Sequence, residues 1–295
     1  MRVAVGIDLG GTNVKGIVLD EVGTILHRHS IPTNDDNYGN WREKVLEMVN
    51  YLKNSHGKEV DVIGMSCPGL ANAQNTCISH MPGRLPGLEN FYWESFFNTR
   101  TFVLNDAHAA LIAEAKFGEI QGYRNAVLLT LGTGVGGGIL INGELYQGEG
   151  QMAGHFGHIS INSHDDELSV TGMPGSLEYA IGNYSIQRRS LGRYTSTLDL
   201  VKAYNDKDHF ATWLWLDLVR KLSLTIASFA NSLSPQIVVL AGGITQAGNA
   251  LLEPLQQFIS MYEWRPNKKT MLVKLARFND LSGAIGAAAF ALTKI

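Results

Sequence analysis

The feature that most limits the fold of this chain is a strand, a glycine turn and a second strand at its start. Residues 3–7 carry large apolar side chains at alternate positions, and residues 13–19 form a second apolar run rich in β-branched residues. The turn between them holds Asp8, Gly10, Gly11 and Thr12. Bare glycine backbone, a threonine hydroxyl and a carboxylate suit a phosphate with Mg²⁺. A tight hairpin with a solvated aspartate is the plainer alternative.

The same pattern returns in the middle of the chain, which indicates a duplication. A turn at residues 20–23 and a third strand at 24–29 complete an opening antiparallel meander. Duplicated β-β-β-α units predict two similar domains facing each other across a cleft. The second meander is predicted from strands at residues 126–131, 136–141 and near Leu145, with Gly132-Thr133-Gly134 in its first turn and Asn142-Gly143 in its second.

The remaining predicted elements alternate between helices and strands. Residues 67–97, rich in proline and glycine and including Pro82, form a loop long enough to be functional. Asn40 is a candidate cap for the first helix. Helices are predicted at residues 40–55, 107–117, 211–233 and 283–291, and strands at residues 60–66, 101–104, 237–240 and 272–276.

Composition points to an ordinary globular protein that binds small molecules. A formal charge of −3, 45% hydrophobic residues and 17% charged residues give no reason to expect nucleic-acid or membrane partners. Cys67 and Cys77 alone cannot build a disulfide framework or a multi-cysteine metal site. No apolar run approaches the ~20 residues of a membrane span, and the start lacks a signal-type pattern. A cytoplasmic location is expected.

Three further motifs each allow two interpretations. Residues 132–137 match the dinucleotide fingerprint G-x-G-x-x-G, but a strand is predicted where that fingerprint requires a helix. Gly242 and Gly243 follow a strand and could let an adenine or ribose lie against backbone, or could form a simple strand-to-helix turn. Asp106 could take a proton from a hydroxyl, or Asn105 and Asp106 could serve as a helix N-cap.

Together these segments resemble the ROK family of repressors, open reading frames and sugar kinases, within the actin-like ATPase superfamily. Residues 8–12 are similar to its first phosphate motif, residues 131–138 to its second, and residues 240–243 to its adenosine motif. The resemblance covers nearly the whole chain. It implies an α/β fold of two ribonuclease H-like (actin-like ATPase) domains. Residues 1–106 with a C-terminal helix at 281–295 would form one domain, and residues 107–280 the other.

The resemblance also implies the site residues. Asp106 would be the catalytic base, and Asp8 would hold Mg²⁺, directly or through water. The hexose would contact Gly69, Asn105, Asp106, His155, His158 and Glu178, and ATP would contact Asp8, Gly10, Gly11, Thr12, Gly132, Thr133, Gly134, Gly242 and Gly243.

Two departures from the family pattern concern zinc and the sugar. The family's zinc cysteines are replaced by Ser169, Thr171 and Ser176, which leaves His158 as the one normal donor, so no structural zinc is expected. His155 stands where the family carries a glutamate, and it offers one donor and one acceptor in place of a carboxylate. The identity of the sugar is therefore open.

The chain is expected to be an ATP-dependent, glucokinase-like phosphotransferase that acts on a hexose hydroxyl, with O6 as the expected acceptor. Alternatives are a kinase for allose, fructose or N-acetylmannosamine, and a non-catalytic sugar sensor or regulator. A repressor would need a helix-turn-helix module before the first strand, which is expected to begin near Arg2. Family members are commonly dimers, so a homodimer is compatible with the resemblance.

Overall fold

The computed structural model describes residues 2–33, 39–81, 83–266, 268 and 270–295, so Pro82 of the predicted loop lies outside the described residues. In chain order, the strands are β1 (Val3–Leu9), β2 (Asn13–Asp20), β3 (Ile25–Pro32), β4 (Val62–Cys67), β5 (Leu70–Ala71), β6 (Ile78–His80), β7 (Thr101–Asn105), β8 (Ala126–Leu131), β9 (Val135–Ile141), β10 (Glu144–Tyr146), β11 (Ile237–Ala241) and β12 (Val273–Leu275). The helices are α1 (Trp41–His56), α2 (Trp93–Phe97), α3 (Asp106–Phe117), α4 (Leu177–Ile181), α5 (Ile186–Arg189), α6 (Thr197–Asn205), α7 (His209–Ser232), α8 (Asn249–Tyr262) and α9 (Ser282–Leu292).

The chain divides into two compact units. The first comprises Met1–Gly122, Gln147–Ala153 and Arg277–Ile295, and the second comprises Tyr123–Tyr146 and Gly154–Ala276. The sequence placed the end of the first domain at residue 106, and the structure moves it to Gly122. Helix α3 belongs to the first unit because it packs along α9.

Both units are built on a sheet of the same topology. The first sheet has the order β3-β2-β1-β4-β7, and the second has the order β10-β9-β8-β11-β12. In each, the opening three strands pair antiparallel and the last two add in parallel. The duplicated meander and the two-domain α/β fold predicted from the glycine turns are therefore confirmed.

The first sheet is covered on both faces by helices that approach it at glycines. On one face, Gly16 lies under Met48 and Leu52 of α1. On the other, a β-carbon on Gly6 or Gly64 would overlap backbone atoms of α9. Successive strand residues point to opposite faces of a sheet, so Gly6 and Ile7 lie on different faces. Ile7 pairs with Gly16, so these two residues share the face covered by α1, and Gly6 lies on the face covered by α9. Small side chains along α9 thus let the helix sit directly on the strands.

The predicted elements all occur, with shifted ends, but the sequence missed helix α8, which has 14 residues, and several shorter elements. Helix α1 begins at Trp41, but Asn40 does not cap it with its side chain. The Asn40 backbone is already helical (φ −61°, ψ −14°), whereas a capping side chain needs an extended backbone. The predicted loop at residues 67–97 contains β5, β6 and α2. Within the described ranges, none of the helices combines the length and apolarity needed to cross a bilayer.

Candidate active site

The glycine turn between β1 and β2 is fixed by a residue that the sequence did not single out. The Gly10 amide donates to the Asn13 carbonyl at 3.1 Å, which closes the turn. Thr33, fully buried just after β3, donates its hydroxyl to the Gly10 carbonyl at 2.5 Å and its amide to the Thr12 carbonyl at 2.9 Å. With these carbonyls held by Thr33, the turn keeps one shape.

Asp8, the last but one residue of β1, is a carboxylate in a crowded place. Ser66 Oγ donates to its Oδ1 at 2.7 Å, and a β-carbon on Gly283 of α9 would touch the carboxylate. Burial raises the pKa of Asp8 to about 6, although the Ser66 bond and the charge of Lys15 oppose the rise. Burial makes the charged form of this carboxylate unfavourable at neutral pH, and a bound cation would stabilise it. Asp8 therefore fits the predicted role of Mg²⁺ ligand.

Replacing Asp8 by asparagine should make the metal-free protein more stable above pH 6. The raised pKa means that the folded protein binds the Asp8 proton more tightly than the unfolded chain does, so folding stability falls as pH rises from about 4 to 6. Asp8→Asn removes that cost, which is at most about 3 kcal/mol. Thermal melts in chelator should show a higher midpoint than wild type at pH 8 and no gain at pH 3.5.

Glu47→Gln is the matched control, because Glu47 is an exposed carboxylate of the same unit that pairs with Lys44 and is not among the charges that shift the pKa of Asp8. It should not raise the midpoint at pH 8. A midpoint for Asp8→Asn that stays below wild type at both pH values would show that the Asp8 carboxylate stabilises the fold.

One of the two roles that the sequence left open, the helix N-cap, belongs to Asn105. Asn105 caps α3: its Oδ1 accepts from the amides of Ala107 at 2.9 Å and His108 at 3.4 Å. Its Nδ2 donates at 3.0 Å to the carbonyl of Gly69, whose positive φ of 96° forms the turn after β4. The capping alternative thus holds for Asn105.

Asp106 is the first residue of α3 and keeps a solvent-accessible face. Its Oδ1 accepts from the Ala107 amide at 2.8 Å. Crowding by protein atoms raises the pKa of Asp106, while hydrogen bonds from Ala107 and Asn105 and the charge of Arg84 act in the opposite direction. Its charge and that of Asp8 are close enough to raise the pKa of Asp8. In the first unit, a candidate base and a candidate metal ligand are therefore near enough for their charges to interact.

In the second unit, the glycine turn between β8 and β9 is held from outside. The Gly132 amide donates to the Gly134 carbonyl at 3.0 Å, so it shapes the turn. The amides of Asn183 and Tyr184 donate to the carbonyls of Gly132 and Thr133 at 2.9 and 3.0 Å. Strand β9 follows directly, and no helix opens at this turn. The dinucleotide interpretation is therefore excluded by the local fold.

A pocket of about 490 Å³ in the second unit opens beside this turn. Gly242 has a φ of 92°, and a β-carbon there would overlap the backbone of Leu131. Gly243 then begins a short 3-10 helix, so the strand-to-helix turn and the pocket wall are the same segment. The pocket is lined by Gly132, Thr133, Asn183, Ser196, Thr197, Leu198, Val201, Gly243, Ile244, Gln246 and Ala247.

The predicted sugar residues of the second unit lie close to the same glycine turn. Glu178 Oε2 accepts from the Val135 amide at 3.0 Å, directly after the turn. A β-carbon on Gly157 would lie 3.3 Å from Cβ of Glu178, so the 3-10 helix Phe156–His158 packs against α4. The rings of His155 and His158 lie nearly parallel, with centroids 6.4 Å apart. The sequence had not linked Glu178 to the turn.

The residues that replace the family's zinc ligands form a hydroxyl network. Ser169 Oγ and Thr171 Oγ1 are 2.9 Å apart, and the amides of Thr171 and Met173 donate to Ser169 Oγ. Ser176 caps α4 by accepting from the Tyr179 amide. Hydrogen bonds among these hydroxyls and the neighbouring backbone hold the loop. Serine and threonine hydroxyls are poor zinc ligands, so these residues do not fit a structural zinc ion.

Comparison with known proteins agrees with these motifs. A family model described as "ROK family" matches residues 4–294. A glucokinase of Halalkalibacterium halodurans is 29% identical, covering 97% of this chain and 93% of the relative. An N-acetyl-D-glucosamine kinase of Haemophilus influenzae is 27% identical, covering 98% and 99%. The crystal structure of a ROK hexokinase from Thermus thermophilus is 26% identical, has a TM-score of 0.85 and covers 99% of both chains.

The matched range takes in all three glycine turns, the Asn105-Asp106 pair and the segment around His155. The resemblance inferred from the spacing of these motifs is confirmed. The chain belongs to the ROK family.

Proposed function

We propose that this protein transfers the γ-phosphoryl group of ATP to a hexose, with O6 as the acceptor. That the protein is a sugar kinase rests on its family and on its glucokinase and N-acetyl-D-glucosamine kinase relatives. The observation that carries the proposal is the Asp106 carboxylate. It begins a helix, has a raised pKa and interacts with the charge of Asp8. O6 is the primary hydroxyl of a hexose and the least hindered acceptor.

Asp106 acts as the general base. A carboxylate whose pKa lies above its usual range is a better proton acceptor for a hydroxyl. The bond that its Oδ1 accepts from the Ala107 amide holds the carboxylate at the start of α3. Asp106 takes the proton of the sugar hydroxyl as the hydroxyl oxygen attacks the γ-phosphorus and the bond to the β-phosphate oxygen breaks.

The two glycine turns bind phosphate. The amide of Gly11 and the hydroxyl of Thr12 serve this purpose in the first unit, and the amide of Gly134 and the hydroxyl of Thr133 do so in the second. Asp8 would hold Mg²⁺, which would supply positive charge against the phosphates when bound. Thr33 and Asn183 keep the turns in shape, since they occupy the carbonyls that would repel a phosphate.

The pocket beside Gly243 holds the nucleoside. Its volume falls within the range of small-ligand sites, and Leu198, Val201 and Ile244 give it apolar walls for a base. Thr197 Oγ1 is buried and makes no hydrogen bond to the described part of the chain. A nucleoside hydroxyl or ring nitrogen would satisfy it. A protein that uses ATP in this way belongs in the cytoplasm.

His155 adjusts the sugar preference. A glutamate at this position would accept charge-assisted hydrogen bonds from two sugar hydroxyls, whereas an imidazole offers one hydrogen-bond donor and one acceptor. We expect the best substrate to differ from glucose near C1 or C2. We also expect His155→Glu to shift preference towards glucose by about tenfold or more in kcat/KM, equivalent to roughly 1.4 kcal/mol. The measurement is kcat/KM for glucose, mannose, allose, fructose and the N-acetylhexosamines.

His164→Glu is the control, because His164 is an exposed histidine of the same unit, and it should leave the ranking unchanged. If the wild-type enzyme prefers glucose by a wide margin and His155→Glu has the same order of substrates, then His155 packs near the site without determining sugar specificity.

A coupled assay of ADP release across this panel of sugars tests the kinase proposal itself. Sugar binding by calorimetry with no ADP release for any sugar would favour the sensor.

A further inference from the structure

Arg84 stands on the loop between β6 and α2 and is held there by a rigid frame. Its neighbour Leu85 is 1% exposed and has a left-handed φ of 48°, an unfavourable conformation for leucine. Trp41 Nε1 donates to the Pro86 carbonyl at 3.2 Å, and the Leu88 amide donates to the Leu85 carbonyl at 3.0 Å. Burial of Leu85 beside an exposed Arg84 fixes the direction in which the arginine leaves the loop.

The guanidinium of Arg84 lies on the first glycine turn. A β-carbon on Gly11 would overlap Nη2, and it would be 2.6 Å from Cζ and 3.3 Å from Nη1. Only a glycine leaves room for a guanidinium at this distance from the backbone. The absence of a side chain at Gly11, which suggested a phosphate site in the sequence, therefore also admits Arg84.

The positive charge of Arg84 also reaches Asp106, because it acts to lower the pKa of that carboxylate. One guanidinium thus touches the proposed phosphate turn and interacts with the proposed base. The planar fork of arginine donors matches phosphate oxygens.

We propose that Arg84 is a catalytic residue that binds the transferred γ-phosphoryl group and stabilises its charge in the transition state. This inference rests on the proposed kinase function and adds to it a residue outside the glycine motifs. The β–γ bond breaks and the new bond to the sugar oxygen forms while Arg84 keeps all its protons. The proton of the sugar hydroxyl goes to Asp106.

The test compares Arg84→Gln, Arg84→Lys and the control Arg100→Gln. Arg100 is an exposed arginine of the same unit that lies over the Phe102 ring, so its loss removes one positive charge away from the turn. Arg84→Gln should lower kcat by about 10²–10³-fold with the KM for sugar changed less than about threefold. Arg84→Lys should fall between Arg84→Gln and wild type, and Arg100→Gln should match wild type.

A second measurement needs no turnover and separates this inference from the function it rests on. Calorimetry with MgADP and with the Mg²⁺ complex of a non-hydrolysable ATP analogue isolates the contribution of the γ group. Arg84→Gln should bind MgADP as wild type does and lose at least about fivefold in affinity for the analogue. If wild type phosphorylates no sugar, the kinase proposal fails and this measurement decides the role of Arg84 as a γ-phosphate ligand. If the wild-type enzyme is active, a kcat for Arg84→Gln within about threefold of the wild-type value would overturn the proposal. If the wild-type enzyme is inactive, the proposal would be overturned by an Arg84→Gln variant that loses the same affinity for MgADP as for the analogue.

Discussion

Replacing Asp106 by asparagine should reduce kcat by about 10²–10⁴-fold while the protein folds and binds sugar. The amide has the shape of the carboxylate and can still accept from the Ala107 amide, which donates to Asp106 Oδ1 in the native protein. It cannot take the proton of the attacking hydroxyl. Steady-state kinetics with the preferred sugar and calorimetry of sugar binding are the two measurements.

Asn105→Asp is a useful companion variant, because a carboxylate can cap α3 through the same two amides but cannot donate to Gly69. It should weaken sugar binding through the Gly69 turn and retain the base. A kcat for Asp106→Asn above about a third of the wild-type value would remove Asp106 from the role of base.

Gly64→Ala should cost the protein about 1–3 kcal/mol of folding stability, or more, and lower its thermal midpoint by several degrees. Gly64 lies in β4. A β-carbon there would overlap the carbonyl carbon and oxygen of Ala287 and the backbone nitrogen of Ala288, both in α9. Alanine would otherwise favour a strand over glycine, so a fall in the midpoint specifically reports the helix contact. Differential scanning calorimetry measures it.

Two further variants identify the cause of the effect. Gly150→Ala places a β-carbon near the flexible end of Met152 and should change the midpoint little. Adding Ala287→Gly to Gly64→Ala should not restore stability, because the overlapping atoms belong to the backbone. Full recovery in that double variant, or an unchanged midpoint in Gly64→Ala, would mean that α9 is free to move away from β4.

The parts of the site that the sequence predicted are those encoded within a few consecutive residues. Strand periodicity on either side and the glycines between the strands predict the turns at Gly10 to Thr12 and at Gly132 to Gly134. The same holds for Asp106, which sits where a strand gives way to a helix. Such signals are local because backbone conformation and the spacing of side chains are local.

The residues and contacts that the sequence missed act over long separations. Thr33 holds Gly10 from 23 positions away. Glu178 was predicted as a sugar residue, but its bond from the Val135 amide, across 43 positions, was not. Arg84 reaches Gly11 from a loop whose shape depends on the burial of Leu85 and on a bond from Trp41. No pattern in the neighbouring sequence marks these residues, because their roles come from strand register and loop geometry. The predicted domain boundary at residue 106 differs from the unit boundary at Gly122 for the same reason, since only packing shows that α3 belongs with α9.

The place of α9 in the chain has a consequence for how the protein is made. Strands β1 to β7 of the first unit leave the ribosome early, but the helix that covers Gly6 and Gly64 begins only at Ser282, after the whole second unit. At about 5–20 residues per second, that delay is on the order of ten seconds. During it, a nascent sheet exposes a strip of glycine and apolar surface to chaperones and to neighbouring chains. The unit that is synthesised first is therefore the last to be completed.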